Sequence, residues 1–226
     1  MVFTGFDREA FRFYERLAAD NTRAFWHANK ADYQRLVREP MDRLLADLAE
    51  FGPFHVFRPH RDVRFAKDKT PYKNHIGAYG ESEGGAGHYV QLSGSGMFAG
   101  SGYYDMASDQ LERLRRAIDR DATGSELVML TDALRRGGHT ITSMSSLATA
   151  PRGYPRDHPR IELLRLKGLI AAQEWSVQPW MSTRSVATRI RASWNAAADL
   201  AEWLDAHVGP STLAPDDGEI ARFGPL

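Results

Sequence analysis

The chain holds 226 residues, its 29 basic side chains balance 29 acidic ones, and it contains no cysteine. That length suits one large domain or two small ones with a substantial core, and the lack of cysteine excludes disulfides, thiol catalysis, zinc knuckles and iron–sulfur clusters. Zero net charge argues against a dedicated nucleic-acid binder, which is usually basic overall.

No apolar run approaches the roughly 18 residues that span a bilayer. The opening Met-Val-Phe-Thr-Gly-Phe-Asp lacks the basic flank and apolar stretch of a signal peptide, so a cytoplasmic protein away from membranes is expected. The first fifty residues read as helices. Phe6 and Asp7 form a staple and N-cap, with Phe11, Tyr14 and Leu17 or Ala18 following at helical spacing. Asn21-Thr22 is the next start signal, leading into a stripe of Phe25, Trp26, Asn29, Tyr33, Leu36 and Val37. Pro40 marks either a break or the first turn of a third helix carrying Met41, Leu44, Leu45 and Leu48, which Gly52-Pro53 ends.

From Phe54 the period shortens. Phe54 to Phe57, Val63 to Phe65 and Ile76 to Tyr79 are short β-rich pieces, and Tyr89 to Leu92 and Met97 to Tyr104 form a hairpin around Ser93-Gly94-Ser95-Gly96. Helices resume with Ser108 as N-cap, then from Ser125 to Arg136 and around Ile161 to Leu166. Glu174 to Gln178 reads as a strand, and one long helix is expected from Ser182 to His207. On it Trp194 lies in the apolar stripe and Trp203 beside it, partly exposed. The pattern predicts an α+β fold: an antiparallel sheet from residues near 54–104 and 174–178, covered by N-terminal, middle and C-terminal helices. Residues 1–208 form a single domain in this reading, and 209–226 a polar tail.

The segment with the most chemistry runs from Arg58 to His75. Lysine is rare here, five residues against 24 arginines, yet Lys67, Lys69 and Lys73 fall close together. With Arg58, Arg61 and Arg64 they make six cations facing only Asp62 and Asp68. Arginine offers a planar fork suited to phosphate or carboxylate, and lysine a compact charge. If residues 63–67 form a strand, alternation puts Arg64 opposite Val63 and Phe65. Pro71 places the chain near Lys69 to Tyr72 in a turn or at a sheet edge. Arg61, Arg64, Lys67, Lys69 and Lys73 then gather around one anion, with the Tyr72 hydroxyl or ring beside it. The competing structural reading pairs Asp62 and Asp68 with neighbouring cations to pin an irregular loop. His60 and His75 flank the segment, and nearby cations would keep their rings neutral. Together with Asp62 they are the candidates for proton transfer.

The run from Arg61 to His75 closely resembles the signature of DUF2461, a bacterial and fungal family of unknown function. Asn21-Thr22-Arg23 with Phe25-Trp26 and Lys30, the strand Gly96 to Gly100, and Pro151 to Tyr154 with Asp157-His158-Pro159 fit the same family. The aromatic pair reads Phe-Trp where the family usually has Trp-Phe. The likeness runs from about Phe3 to His207. It implies no activity, catalytic residue or cofactor.

Other constellations carry less. Arg152, Arg156, Arg160, Arg165 and Lys167 form a second basic segment, and convergence of Arg23, Lys30, Lys73 and Lys167 would make a strongly cationic pocket; a solvated face is the plainer reading. The histidines show no metal-site spacing, so no metal is expected. Gly94 to Gly100 fails the dinucleotide fingerprint on spacing, no nucleoside-triphosphate loop is present, and neither Ser95 nor Ser101 fits a nucleophile elbow. No cofactor is expected. Three function classes stay open: a site for a small phosphate- or carboxylate-bearing ligand, a nucleic-acid-binding module, and an interaction or scaffold protein whose basic loop is a brace. Whether the chain is an enzyme, and its oligomeric state, are not legible here.

Overall fold

A computed structural model describes residues 2–64, 68–81 and 85–213. Helix α1 (Arg8–Ala19) starts where expected, because the Asp7 carboxylate accepts the N–H of Glu9 at 2.9 Å. The Thr22 hydroxyl does the same for Phe25 at 3.1 Å and opens α2 (Arg23–Asp32). A π-helical stretch (Tyr33–Arg38) then runs without a gap into α3 (Glu39–Asp47). Of the two readings of Pro40, the first turn of a helix holds. Proline cannot donate and its ring presses on the carbonyl four residues back. The wide turn before it relieves that crowding: the Glu39 N–H bonds to the Gln34 carbonyl, five residues back.

The strands are β1 (Phe54–Val56), β2 (His75–Glu81), β3 (Gly87–Ser93), β4 (Gly96–Tyr103), β5 (Thr140–Thr142) and β6 (Leu169–Ser176). They form one antiparallel sheet in the order β1-β2-β3-β4-β6-β5. The fold is therefore α+β, and the β3–β4 hairpin turns at Gly94-Ser95. The strand expected at 174–178 starts earlier, at Leu169, since the run Leu169 to Ala172 is apolar on both faces and lacks the alternation that marks a strand. β5 was not anticipated. Val63 and Arg64 are irregular rather than strand, and Phe65 lies outside the described residues.

Helices α4 (Ser108–Asp119), α5 (Asp121–Arg136) and the short α6 (Ile161–Leu164) fill the middle of the chain. At the start of α4 the N-cap is Ala107, not Ser108, and the Gln110 side chain accepts the Ala107 N–H at 3.0 Å. The long final helix is two: α7 (Ser185–Ala196) and α8 (Ala198–His207), separated at Ala197 with φ −90° and ψ 3°. That break turns Trp203 inward, and it is buried instead of partly exposed.

Two cores lie side by side on the same face of the sheet. Ile76, Ala78, Val90, Leu92, Met97 and Ala99 pack under α1, α3 and α7, with Trp26 and Trp194 among them. Tyr103, Leu169 and Ala171 pack under α4, α5 and α8. Pleating sends alternate residues to the other face, which carries rings that belong to neither core. Its glycines make room for them. A Cβ on Gly77 would come within 2.4 Å of the Tyr89 hydroxyl, and one on Gly87 within 2.2 Å of the Tyr79 ring, so each tyrosine lies flat across a glycine of the next strand.

Candidate functional site

The basic segment is the loop that joins the edge strand β1 to β2. Beyond β1 the chain keeps company with the approach to β2: the Lys73 N–H donates to the Pro59 carbonyl at 2.8 Å, and the Arg61 N–H to the Pro71 carbonyl at 2.9 Å. His60 and Tyr72 face each other across this bridge. Both prolines serve only as acceptors, which is all a proline can do in a ladder.

One residue of the helical layer fixes the loop. The Asn21 amide donates to the Tyr72 carbonyl (2.9 Å) and to Asn74 Oδ1 (2.9 Å), and its Oδ1 accepts the Tyr72 N–H at 3.1 Å. It acts as a short substitute for a neighbouring strand. The Tyr72 ring, 3% exposed, stacks on Trp26 at 4.4 Å with the planes 13° apart. Such a pair contributes about 0.5–1.5 kcal/mol beyond its burial. Tyr72 is thus an anchor in the first core, and the His60 ring packs 5.0 Å from it on the same side.

Within the loop most charges are matched. Asp62 accepts the Arg64 N–H at 3.1 Å and the Arg64 guanidinium at 2.7 Å. Asp68 accepts the Thr70 N–H at 2.9 Å and pairs with Arg61. Lys69 donates to the Val63 carbonyl at 2.8 Å. The Arg64 side-chain and backbone donors hold the Asp62 carboxyl down at about 2, and the Thr70 and Arg61 donors lower that of Asp68. Lys67 lies outside the described residues.

Lys73 is different. By alternation it falls on the face opposite Tyr72, half-buried, with its ammonium 5.1 Å from the centre of the Phe57 ring. No carboxylate among the described residues pairs with it, as is also true of Arg58. Burial first, then the charges of Arg58 and Arg61, lower its pKa. His75 follows on the same face. Burial, then Lys73 and Arg61, push its ring down to about 4, so it is neutral at neutral pH. The geometry therefore divides the predicted residues in two: Arg61, Arg64, Lys69 and Tyr72 have partners, whereas Lys73, with no carboxylate partner among the described residues, forms a cationic corner beside His75 with the unpredicted Arg58, whose charge is also felt by Asp62.

The second basic segment is mostly consumed by structure. Arg160 donates to the Asp119 carbonyl and to Asp121, both at 2.9 Å, and Arg165 to the Leu147 carbonyl at 2.8 Å. Lys167 precedes Leu169, which pairs with Tyr103, whereas Lys73 precedes His75, which pairs with Ser93. These are opposite ends of the sheet, so Lys73 and Lys167 do not converge. Among the described residues no group of three or more histidines and carboxylates is placed to hold a metal ion, and no helix is long and apolar enough to cross a membrane.

Sequence reasoning passed over Asn21, Trp26 and Arg58 as site-forming residues. Asn21 directly before an N-cap was the one available signal. The profile of a family described as a conserved hypothetical protein, DUF2461, matches residues 9–203. No curated protein and no solved structure matches the chain.

Proposed function

Because the chain belongs to the DUF2461 family, described only as conserved and hypothetical, its function must be read from its own residues, and we propose that it is a single cytoplasmic α+β domain, spanning 1–208, that binds a small phosphate- or carboxylate-bearing anion. One observation carries the reading: the half-buried Lys73 ammonium has two arginines near it and no carboxylate partner among the described residues. Desolvated like charges are costly, and an anion at that corner offsets the cost through charge-assisted hydrogen bonds. Lys67, Lys69, Arg64 and Tyr72 belong to the loop that frames the corner, and Arg61 is shared between Asp68 and the ligand. Should the bound anion react, the neutral His75 is the base at hand. Asp62, held near 2 by Arg64, is a far weaker one.

The brace reading has its own support in the contacts of Asp62, Asp68 and Lys69, and it accounts for the outer half of the loop. A thermal-shift series separates the two. Inorganic phosphate, acetate and sugar phosphates at 100 times their dissociation constant stabilise by about 2.7 kcal/mol, roughly 5–11 °C for a chain of this size. The expected result is a selective shift that Lys73→Gln and Arg58→Gln abolish. No shift with any anion, and lower melting points only for Asp62→Asn and Asp68→Asn, would leave the loop as a brace. A shift only with DNA or RNA that disappears in salt would favour a nucleic-acid module.

A further inference from the structure

The cationic corner opens onto the sheet face that belongs to neither core. There Phe57 lies under the Lys73 ammonium, the Tyr89 ring centre is 6.3 Å from that of Phe57, and Phe98 is 5.9 Å beyond Tyr89. The three rings and Lys73 form a continuous row, and each is half-buried. Tyr89 is held flat by Gly77 beneath it and by its own hydroxyl, which donates to Gln91 Oε1 at 2.8 Å. That bond orients the Gln91 amide, whose nitrogen donates to no described residue. Row, amide and His75 share one face because β2 and β3 pair Gly77 with Gln91 and His75 with Ser93.

An isolated anion would use only the corner. The rings add an aromatic surface whose planes turn by 41° between Phe57 and Tyr89 and by 61° between Tyr89 and Phe98, with a cation at one end and an amide donor at its side. Charge at one end and aromatic contact along the rest fit a ligand built the same way. We infer that the anion bound at Lys73 is carried by a planar aromatic or heteroaromatic ring, which stacks on Tyr89 with Phe98 against its edge while its phosphate or carboxylate meets Lys73. This rests on the anion-binding reading above and names the ligand class for the same site.

The test is calorimetric titration of the full chain with adenosine monophosphate and indole-3-acetate, which carry phosphate and carboxylate respectively. Inorganic phosphate, acetate and adenosine are the comparisons. At least one aryl anion is expected to bind about tenfold or more tightly than its ring-free counterpart, the ratio that one ring stack provides. Phe98→Leu and, separately, Tyr89→Leu should bring that ratio towards one, and Lys73→Gln should weaken every anion. Equal affinity for aryl and simple anions in the wild type overturns the inference and leaves the anion site standing. Binding of no anion at all sinks both readings. Adenosine binding as tightly as its monophosphate, with no response to Lys73→Gln, overturns the coupling of ring to charge. Binding confined to single-stranded oligonucleotides overturns it in favour of a polymer partner.

Discussion

Replacing Asn21 with alanine removes three hydrogen bonds that tie the start of α2 to the strand approach at Tyr72 and Asn74. The Asn74 side chain can turn to solvent. The Tyr72 N–H and C=O cannot follow easily, because the Tyr72 ring is pinned beneath Trp26. Leaving a buried polar group without its partner costs about 1–3 kcal/mol. Two such groups in a partly buried site give a loss of roughly 2–4 kcal/mol, or roughly 5–15 °C in melting temperature at this chain length. Scanning calorimetry and urea titration check the value. Asn21→Asp keeps the acceptor for the Tyr72 N–H and loses both donors, so it should fall between wild type and alanine. A melting temperature for Asn21→Ala within about 2 °C of wild type, the scatter of an ordinary surface change, would refute the argument that this side chain holds the loop in place.

Two other outcomes follow from the sheet. Gly77→Ala should lose about 1–3 kcal/mol to overpacking against Tyr89, and much less in a Tyr89→Leu background; additive losses in a double-mutant cycle would contradict the ring-on-glycine contact. Burial, chiefly, depresses both His75 and His88 from 6.5 to about 4, so the unfolded chain takes up protons that the folded chain refuses. Stability is then complete above pH 6.5 and falls as pH drops towards 4, by about 1 kcal/mol per ring between pH 7 and 5 after allowing for their partial exposure. Urea midpoints at the two pH values measure it. An unchanged or higher midpoint at pH 5 would show that these rings are charged in the fold.

Much of this architecture was legible because its signals are local. Asp7 and Thr22 announce their helices by offering an oxygen to a neighbouring N–H, and Gly94-Ser95 announces a tight turn between alternating runs. The scarcity of lysine marked out the loop between β1 and β2. What the loop does with each residue was not legible, because the deciding partners are remote. Nothing in Pro71-Tyr72-Lys73 tells a buried ring from an exposed one; the answer lies in Trp26 and Asn21, far away along the chain. Alternation across a short bridge then sends Tyr72 and Lys73 to opposite faces, one to packing and the other to charge. The break at Ala197 was equally hidden, since the apolar stripe continues across it without a proline or glycine.

That break is also the place where the chain changes allegiance. Trp194 closes the first core and Leu200 the second, so α7 and α8 are latches on separate compartments that share a common floor in β4 and β6. Most of the first compartment comes from the opening hundred residues, and most of the second from the stretch that follows. Neither shares its buried side chains with the other. If the second opens first in native conditions, as a separate cooperative unit, amide exchange will be faster in α4, α5 and α8 than in α1 and α3, and equal rates would refute it. The signature loop, bolted to the first compartment through Trp26 and Asn21, would keep its shape throughout.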